Sequence, residues 1–554
     1  MTSTPATVRR FAAVTRLAGV LSRAREETWA LYQVGRAGAL WPMPLSRLPE
    51  LSQGMRAYGP TGAAVRTAAL RFGDRTALID DRGALSFAEL DARSNALANA
   101  WRNRGLCGGD GVAILARNHR SFVEALFAAA KSGARIVLLN TDFGSEQLRD
   151  VLAREGADLL VHDAEYLDAV AGIDLRLGCV TAWTDTPTPE SLDTLIERGD
   201  PSPLPPSATK ARLIILTSGT TGTPKGAPRS EPRSLLPAGG LLSKAPFRAG
   251  EVTECCVPLF HALGFGHLML SLLLGSTLVV RRRFDAGHTL QSLVEHRATA
   301  MIAVPIMLRR LIDLGPQAFS GKDLSALRIV FVAGSQLGAA LCREAMEVFG
   351  PVVYNMYGST EVAYATLATP ADLAVEPGCV GRRVPGTVVK LYDDRGRPVP
   401  VGTRGRIFVG NTIAFDGYTG GGSKESIDSL LASGDIGHFD GGGRLFIDGR
   451  DDDMIVSGGE NVFPAEVEEA LAAHPAIREA AVVAVADDEY GQRLRSFIAL
   501  QPGAKLTDQD VKDFVRQRLA RFKVPRDVRF VEALPRNPTG KVVKRLLDAD
   551  ALQG

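Results

Sequence analysis

At 554 residues, with 45% apolar and 23% charged side chains, the chain is long enough for more than one domain, each able to bury a core without staples. Its 64 Lys and Arg against 62 Asp and Glu leave a net charge of +2, so no global field recruits nucleic acid or an acidic partner. The six cysteines, Cys107, Cys179, Cys255, Cys256, Cys342 and Cys379, form no C-x-x-C pair, which argues against a zinc site or disulfide framework and suits a reducing cytoplasm.

The first fifty residues depart from this balance, with seven Arg against three acids. Within Val8 to Trp29, Arg9, Arg10, Arg16, Arg23 and Arg25 mix with Phe11, Val14, Leu17, Val20 and Leu21. The preferred reading is a solvated helix packing on its own domain, and the alternative is peripheral contact with an anionic membrane surface. Arg16 interrupts the apolar stretch, so no secretory h-region is expected. Residues 1–60 are set apart as a basic N-terminal extension.

From Val112 the pattern predicts a strand to Ala116, a helix over Ser121 to Ser132, a strand over Arg135 to Leu139, a helix over Ser145 to Glu155 and a strand over Asp158 to Val161. Such alternation means a parallel sheet with crossover helices. Short β-branched runs at Leu213 to Leu216, Thr277 to Val280, Ala300 to Val304 and Arg328 to Val332 extend this α/β domain. The Pro-rich stretch Asp200 to Ser207 reads as a surface connector. The longest apolar run, Leu268 to Val280, is too short to span a bilayer and reads as buried core. A glycine-punctuated acidic stretch, Asp435 to Asp453, precedes a new pattern. It comprises a helix over Pro464 to Ala473, strands at Glu479 to Val485 and Arg495 to Leu500, a helix over Asp508 to Leu519 and a strand at Val528 to Val531. The expected architecture is α/β, with a large domain over 61–451 and a small, mobile α+β domain over 452–554.

The densest chemical signal follows the strand Leu213 to Leu216. Thr217, Ser218, Gly219, Thr220, Thr221, Gly222, Thr223, Pro224, Lys225 and Gly226 offer hydroxyls, convergent backbone N–H groups and one mobile cation, the ingredients of a polyphosphate cradle. The spacing does not fit G-x-x-x-x-G-K-[ST], so an ordinary P-loop is disfavoured. A second cluster, Tyr354 to Glu361, places Tyr357, Gly358, Ser359, Thr360 and Glu361 in succession: an aromatic for a base, hydroxyls for phosphate and a carboxylate for Mg²⁺. A third is Ser433, Gly434 and Asp435. A fourth runs from Gly449 and Arg450 through Asp451, Asp452 and Asp453 to Ser457, Gly458, Gly459, Glu460 and Asn461. The last is Pro535 to Lys541.

These five clusters, in this order, resemble the adenylate-forming superfamily of acyl-CoA synthetases, aryl-CoA ligases, luciferases and peptide-synthetase adenylation domains. Their texture is most similar to bacterial fatty-acyl-CoA synthetases. The resemblance covers about Leu85 to Leu547 and implies ATP, Mg²⁺ and coenzyme A, with a medium- or long-chain carboxylic acid as substrate. It implies that Thr217, Ser218, Gly219, Thr220, Thr221, Gly222 and Lys225 embrace the ATP phosphates. Gly334, Ser335 and Gln336 would line the adenine site with Tyr357, beside Gly358 and Ser359. Thr360 would meet the α-phosphate, Asp435 and Arg450 the ribose, and Glu361 with Thr217 the metal. Lys541 would contact the reacting oxygens, with Thr220 and His261 beside the reacting groups, His261 as a wall of the acyl pocket. Asp452 would be the hinge, and Ser457, Gly458 and Gly459 would pass the pantetheine. His261 and His267 lack a third partner at ligand spacing, so a metal pair there is rejected. Arg281 to Arg283 read as a solvated or phosphate-facing surface. The run Tyr418 to Glu425 departs from the family pattern, and its three glycines predict a mobile loop.

The chemistry asks for the same parts. A carboxylate is ionised at neutral pH, so the barrier to adenylation is anion meeting anion, which calls for cations and oriented donors rather than a general base. Delivery to a carrier protein instead of CoA, an aryl acid as substrate, a non-catalytic nucleotide module and a plain ATP hydrolase are the rival readings. Homodimerisation and N-terminal membrane contact are left open by the sequence.

Overall fold

Uninterrupted apolar runs become strands buried on both faces, as parallel sheets require. Gly111–Leu115 is buried throughout, and Ile329–Val332 likewise. The structure is a computed structural model that describes residues 23–40, 45–186, 188–217, 225–229, 234–451, 453, 455–457, 460–487, 491–519, 521–538 and 540–549.

A six-stranded sheet runs in the order Cys179–Thr181, Leu159–His162, Gly111–Leu115, Arg135–Leu138, Arg212–Leu216 and Gly226–Arg229. All pairs are parallel except the last, where Leu216 faces Gly226 across an antiparallel hairpin. The phosphate-loop motif is thus the connection of an edge hairpin. Residues 218–224 lie outside the described residues.

The second sheet has nine strands. Its parallel heart comprises Thr76–Asp80, Thr277–Val280, Val252–Cys255, Ala300–Ala303, Ile329–Val332 and Val353–Ser359, and the edge strands are antiparallel. The apolar run Leu268 to Val280 is core, but it divides between the helix Ala262–Leu274 and the strand Thr277–Val280. Gly275, in the left-handed conformation, separates them.

A third, five-stranded antiparallel sheet contains Val388–Tyr392, Gly405–Gly410, Ser426–Ile427, Leu430–Phe439 and Leu445–Arg450. The expected glycine-rich acidic junction is in fact the last hairpin of this sheet, with Asp435 in register with Arg450. Beyond it stands the small domain. The helices Pro464–Ala472 and Asp508–Arg516 pack on a sheet of Ile455–Ser457, Glu460–Val462, Ile477–Asp487, Gly491–Leu500 and Asp527–Phe530.

The amphipathic segment expected over Val8 to Trp29 lies outside the described residues up to residue 22. Residues 23–36 form a helix, and the helix Leu48–Phe72 follows with a kink at Gly59 and Pro60. This N-terminal region packs on the large domain: Tyr58 donates to the Leu204 carbonyl (2.5 Å), and Ala30 lies against Gly239. Asn95 and Asn99 hold the Pro-rich connector through the carbonyls of Pro201, Asp200 and Ser202. Among the described residues no helix is long and apolar enough to cross a membrane.

The helix Arg120–Lys131 is buried from Ser121 to Lys131, so even its basic last residue must be satisfied internally. Lys131 Nζ reaches Asp91 Oδ1, Ser94 Oγ and Asn95 Oδ1, each at 2.7 Å, and the Asp91 carbonyl at 3.1 Å. Burial still pushes this amine down to about 8, despite the Asp91 charge beside it. Replacing Lys131 with Met strands those acceptors and leaves Asp91 with Arg66, 3.2 Å away, as its remaining cation. Lys131→Met should lower unfolding free energy by about 3–5 kcal/mol in a urea titration, whereas a change under about 1 kcal/mol would show the cluster to be energetically neutral.

Candidate active site

Parallel strands deliver loops at their carboxyl ends, and in open α/β sheets that edge is where ligands bind. Thr217 follows Arg212–Leu216 and is buried, its N–H donating to the Lys225 carbonyl (2.9 Å) as the loop closes. His261 follows Val252–Cys255, Val304 follows Ala300–Ala303, and Gly334, Ser335 and Gln336 follow Ile329–Val332. The strand Val353–Ser359 carries Tyr357, Gly358 and Ser359 and turns sharply through Thr360 and Glu361. That turn ends at Ala363, whose φ of 58° is a left-handed conformation unusual for a residue with a Cβ.

The turn is heavily braced. Ser359 Oγ lies 3.0 Å from Glu361 Oε2 and accepts the N–H groups of Glu361 and Val362. Tyr418 Oη donates to Glu361 Oε1 at 2.8 Å, and Lys225 Nζ lies 5.1 Å from the centre of the Tyr418 ring. The expected mobility of Tyr418 to Glu425 is therefore corrected at its start. Phe415 N–H donates to the Glu361 carbonyl, Asp416 N–H to Pro228 and Thr419 N–H to Gly226, while the Thr419 hydroxyl reaches the buried Glu155 (2.7 Å). Burial and the Glu361 charge raise the Tyr418 phenol, keeping it a donor. Gly226 is closely packed here: a methyl group on it would stand 2.4 Å from Thr419 Oγ1 and 2.8 Å from both Glu155 Oε1 and Ile214 Cγ2, so these side chains would have to shift.

On the third sheet, Asp435 lies between two partners. Tyr357 Oη donates to its Oδ2 at 2.6 Å, and Arg450 Nη1 stands 3.6 Å from its Oδ1. Asp435 N–H donates to Ser433 Oγ, whose own hydroxyl bonds the Ile407 carbonyl, so the hydroxyl shared by Ser and Thr serves the backbone here. Desolvation first, and Asp435 second, hold the Tyr357 phenol well above its ordinary value.

The small domain completes the site. A methyl group on Gly540 would stand 2.3 Å from Ile306 Cγ2 and 3.2 Å from Val304 Cγ2. One on Gly334 would stand 3.2 Å from Val304 Cγ1. Val304 is thus shared between the adenine-site candidate Gly334 and the turn that carries Lys541. Within that turn Lys541 N–H donates to Asn537 Oδ1 (2.9 Å), and Arg536 Nη1 bonds the Gly540 carbonyl (2.6 Å). Thr220 and the other loop residues from Ser218 to Gly222, the hinge candidate Asp452, and Gly458 and Gly459 lie outside the described residues. Asp451, just before that hinge candidate, is held by Arg406 Nε at 3.0 Å, and Ser457 pairs by its backbone with Glu460.

Two groups of residues stand apart. Arg281 pairs with Asp81 (3.0 Å), and Arg282 and Arg283 both pair with Glu165 (2.7 Å), which Arg117 also meets, so this triplet is engaged in ion pairs but only partly neutralised. His261 begins the helix Ala262–Leu274 with its ring 4.4 Å from that of Phe260, and its Nε2 is buried with no hydrogen-bond partner among the described residues. Burial pushes it down to about 4, so the ring is neutral at neutral pH.

Arg229, Asn118 and the bonding of Tyr418 belong to no motif along the chain and emerge only in the fold. Asn118 braces the chain before His261, donating to the Val257 carbonyl and accepting from Leu259 N–H, both at 2.8 Å. Arg229 ends the strand after the phosphate loop, donates to the carbonyls of Thr360 and Ile413, and is pushed down to about 10 by burial. A lone arginine in the apolar, proline-containing stretch Gly226 to Arg229 was its signal.

The donor set fits Mg²⁺ bound with substrate phosphates. One carboxylate, Glu361, oriented by Tyr418 and Ser359, is the kind of protein ligand Mg²⁺ takes together with phosphate oxygens. No group of three or more His, Cys, Asp or Glu able to hold a metal exists among the described residues.

The profile of the family described as AMP-binding enzyme matches residues 65–419, and that of the AMP-binding enzyme C-terminal domain matches residues 466–541. The chain belongs to the adenylate-forming superfamily of AMP-binding enzymes. It is 33% identical over 467 residues to a feruloyl-CoA synthase of Amycolatopsis sp, covering 83% of this chain and 93% of the relative. It is 32% identical to a fatty acid–[acyl-carrier-protein] ligase of Streptomyces coeruleorubidus, covering 84% and 91%. Among solved structures, o-succinylbenzoate CoA synthetase from Bacillus subtilis with its acyl-adenylate intermediate superposes with a TM-score of 0.77 at 26% identity, covering 87% and 97%. The two-domain α/β architecture expected from the sequence is that of the superfamily.

His267 offers a test of burial around the His261 helix. It is 4% exposed, donates Nδ1–H to the Leu263 carbonyl (2.9 Å), packs 5.0 Å from the Phe331 ring and is pushed down to about 4. A base with a folded pKa near 4 and an unfolded one near 6.5 contributes stability fully above pH 6.5, lost progressively as pH falls toward 4. Wild type should therefore lose roughly 3 kcal/mol through this residue between pH 7 and 4, at about 1.4 kcal/mol per pKa unit. His267→Leu should flatten that part of the profile in denaturant titrations, and an unchanged pH slope would count against a buried neutral His267.

Proposed function

We propose that the chain is an ATP- and Mg²⁺-dependent acyl-CoA ligase that activates a medium- or long-chain aliphatic carboxylic acid through an acyl adenylate, releasing AMP and pyrophosphate. The observation that carries this reading is Val304 flanked by Gly334 on one side and the Lys541-bearing turn on the other. In this arrangement the turn that carries Lys541 lies at the carboxyl edge of the nine-stranded sheet, near Gly334, one of the residues proposed for adenine.

In the first step the carboxylate oxygen attacks the α-phosphorus, the bond to pyrophosphate breaks, and no proton is transferred. Lys541 and the phosphate loop, including Thr220 and Lys225, neutralise the charges that approach and depart, which is where this reaction's barrier lies. When bound, Mg²⁺ supplies further neutralisation at the phosphate oxygens, held by Glu361 with Thr217. Tyr357 with Gly334, Ser335 and Gln336 holds the base, Thr360 the α-phosphate, and Asp435 and Arg450 the ribose. Ribose hydroxyls would compete with Tyr357 for the Asp435 carboxylate. In the second step the CoA thiolate attacks the acyl carbon and AMP leaves, with the thiol proton released to solvent. For that step the small domain turns about Asp452 and presents Ser457, Gly458 and Gly459 to the pantetheine.

The aliphatic specificity is supported by the sequence texture and by the apolar surroundings of His261, whose neutral ring suits a hydrocarbon wall. The 33% identity to a feruloyl-CoA synthase favours an aryl acid as the second reading. A panel of aliphatic and aryl acids, assayed for AMP release with and without CoA, decides between them. Acyl-AMP accumulating in the presence of CoA would point to a carrier-protein acceptor. Lys541→Ala should reduce adenylation by about 10²–10³-fold, the scale for removing one transition-state donor, while thioester formation from supplied acyl-AMP falls far less. Equal loss of both steps would contradict the role given to Lys541.

A further inference from the structure

The proposed reaction, on which this inference rests, needs the Thr360–Glu361 turn to stay in place while a polyphosphate lies against it. We propose that Arg229 and Tyr418 are positioning residues that clamp this turn and join it to the strand that leaves the phosphate loop. Neither position belongs to the phosphate-loop motif or to the Tyr354 to Glu361 cluster, and their bonds arise only in the folded chain.

Arg229 lies four residues beyond Lys225, at the end of the strand that leaves the loop. Its Nη2 donates to the Thr360 carbonyl and its Nη1 to the Ile413 carbonyl (3.2 Å), while Glu361 and Asp416 are the carboxylates acting on its charge. Its Nε–H is buried and unpartnered among the described residues. A guanidinium with a buried, unmade hydrogen bond is a standing cost that a merely structural position would shed by carrying an apolar residue. What only arginine provides is a planar fork that reaches two carbonyls from separate segments at once while setting a positive charge beside Glu361.

Tyr418 approaches from the third sheet. Its hydroxyl donates to Glu361 Oε1 (2.8 Å), opposite Ser359 at Oε2 (3.0 Å), and its ring lies 5.1 Å from Lys225 Nζ. A carboxylate oxygen has two acceptor sites, so one neutral donor on each oxygen orients Glu361 and leaves capacity for a cation. The backbone bonds Phe415 to Glu361, Asp416 to Pro228 and Thr419 to Gly226 hold the two clamp arms in one unit. Loop and metal ligand are therefore mechanically connected, and strain at Ala363 gives the turn a reason to relax if either arm is removed.

The test is equilibrium binding of ATP to the full-length protein by isothermal titration, with excess Mg²⁺ and with the metal chelated. Arg229→Lys and Tyr418→Phe should each weaken binding of MgATP by about tenfold while changing metal-free ATP binding by less than about twofold. In a Glu361→Ala background, with no carboxylate left to orient, Tyr418→Phe should produce no further loss and Arg229→Lys a smaller one. Tyr418→Phe removes a single hydroxyl, so it decides the question even if Arg229→Lys fails to fold. Parental MgATP affinity in the single variants beside a weakened Glu361→Ala overturns the inference alone, as do losses undiminished in the Glu361→Ala background. Parental affinity in Glu361→Ala itself overturns the proposed metal role and the clamp with it.

Discussion

The close approach of three segments at Gly226 is the constraint on which the rest of the site depends. The strand that precedes the phosphate loop, through Ile214, the buried Glu155 at the end of the helix Ser145–Glu155 and Thr419 of the third-sheet connection all come within contact of its missing side chain. Glycine lets them meet this closely, and their meeting fixes the lateral position of Tyr418, and through it of Glu361. Two sheets and a third-sheet connection that would otherwise be independent are thereby registered to within a hydrogen bond. A polyphosphate site built from strand ends needs this, because donors displaced by about 1 Å lose much of their effect on a developing charge.

Around that junction the fold separates rigid from movable parts. The base, ribose and metal candidates sit on strand ends or hairpins of the large domain, where Tyr357, Asp435 and Arg450 hold one another before any nucleotide arrives. Lys541 comes from a segment with a separate core, and its neighbour Gly540 lies against Val304 and Ile306 of the large domain. Such a division suits a two-step reaction in which one cation is needed only for the first step. The side proposed for the acyl group is different in character: His261 is neutral and its Nε2 has no hydrogen-bond partner among the described residues, and Asn118 fixes the turn before it by bonding the backbone. Charge is thus concentrated at the phosphates and kept away from the wall proposed for the hydrocarbon.

Legibility in the sequence followed burial. The parallel strands and crossover helices were readable because a strand covered on both faces must be apolar throughout, as Gly111–Leu115 and Ile329–Val332 are. The third sheet was not recognised, since its strands mix glycine with charged and polar residues, as in Leu430–Phe439 and Leu445–Arg450, and read like an irregular junction. The glycine run after Tyr418 was read as freedom of the chain, yet Phe415, Asp416 and Thr419, which lead into it, are tied by backbone bonds to Glu361, Pro228 and Gly226. Intrinsic flexibility is a local property, whereas those bonds are made with segments up to about two hundred residues away in the chain.

By itself, the sequence determined the chemistry on offer: hydroxyls, glycines and a lysine for a polyphosphate, a carboxylate for Mg²⁺, an aromatic for a base, and the two-domain α/β order that carries them. These are composition and spacing, which local chain preferences and phosphate chemistry dictate directly. Tertiary structure alone decided which of these groups meet: Tyr357 with Asp435, Tyr418 and Arg229 around Glu361, and the Lys541 turn against Val304. Contacts of this kind depend on sheet order and on how closely glycine lets segments approach, and no pattern along a single chain encodes the distance between residues that only packing brings together.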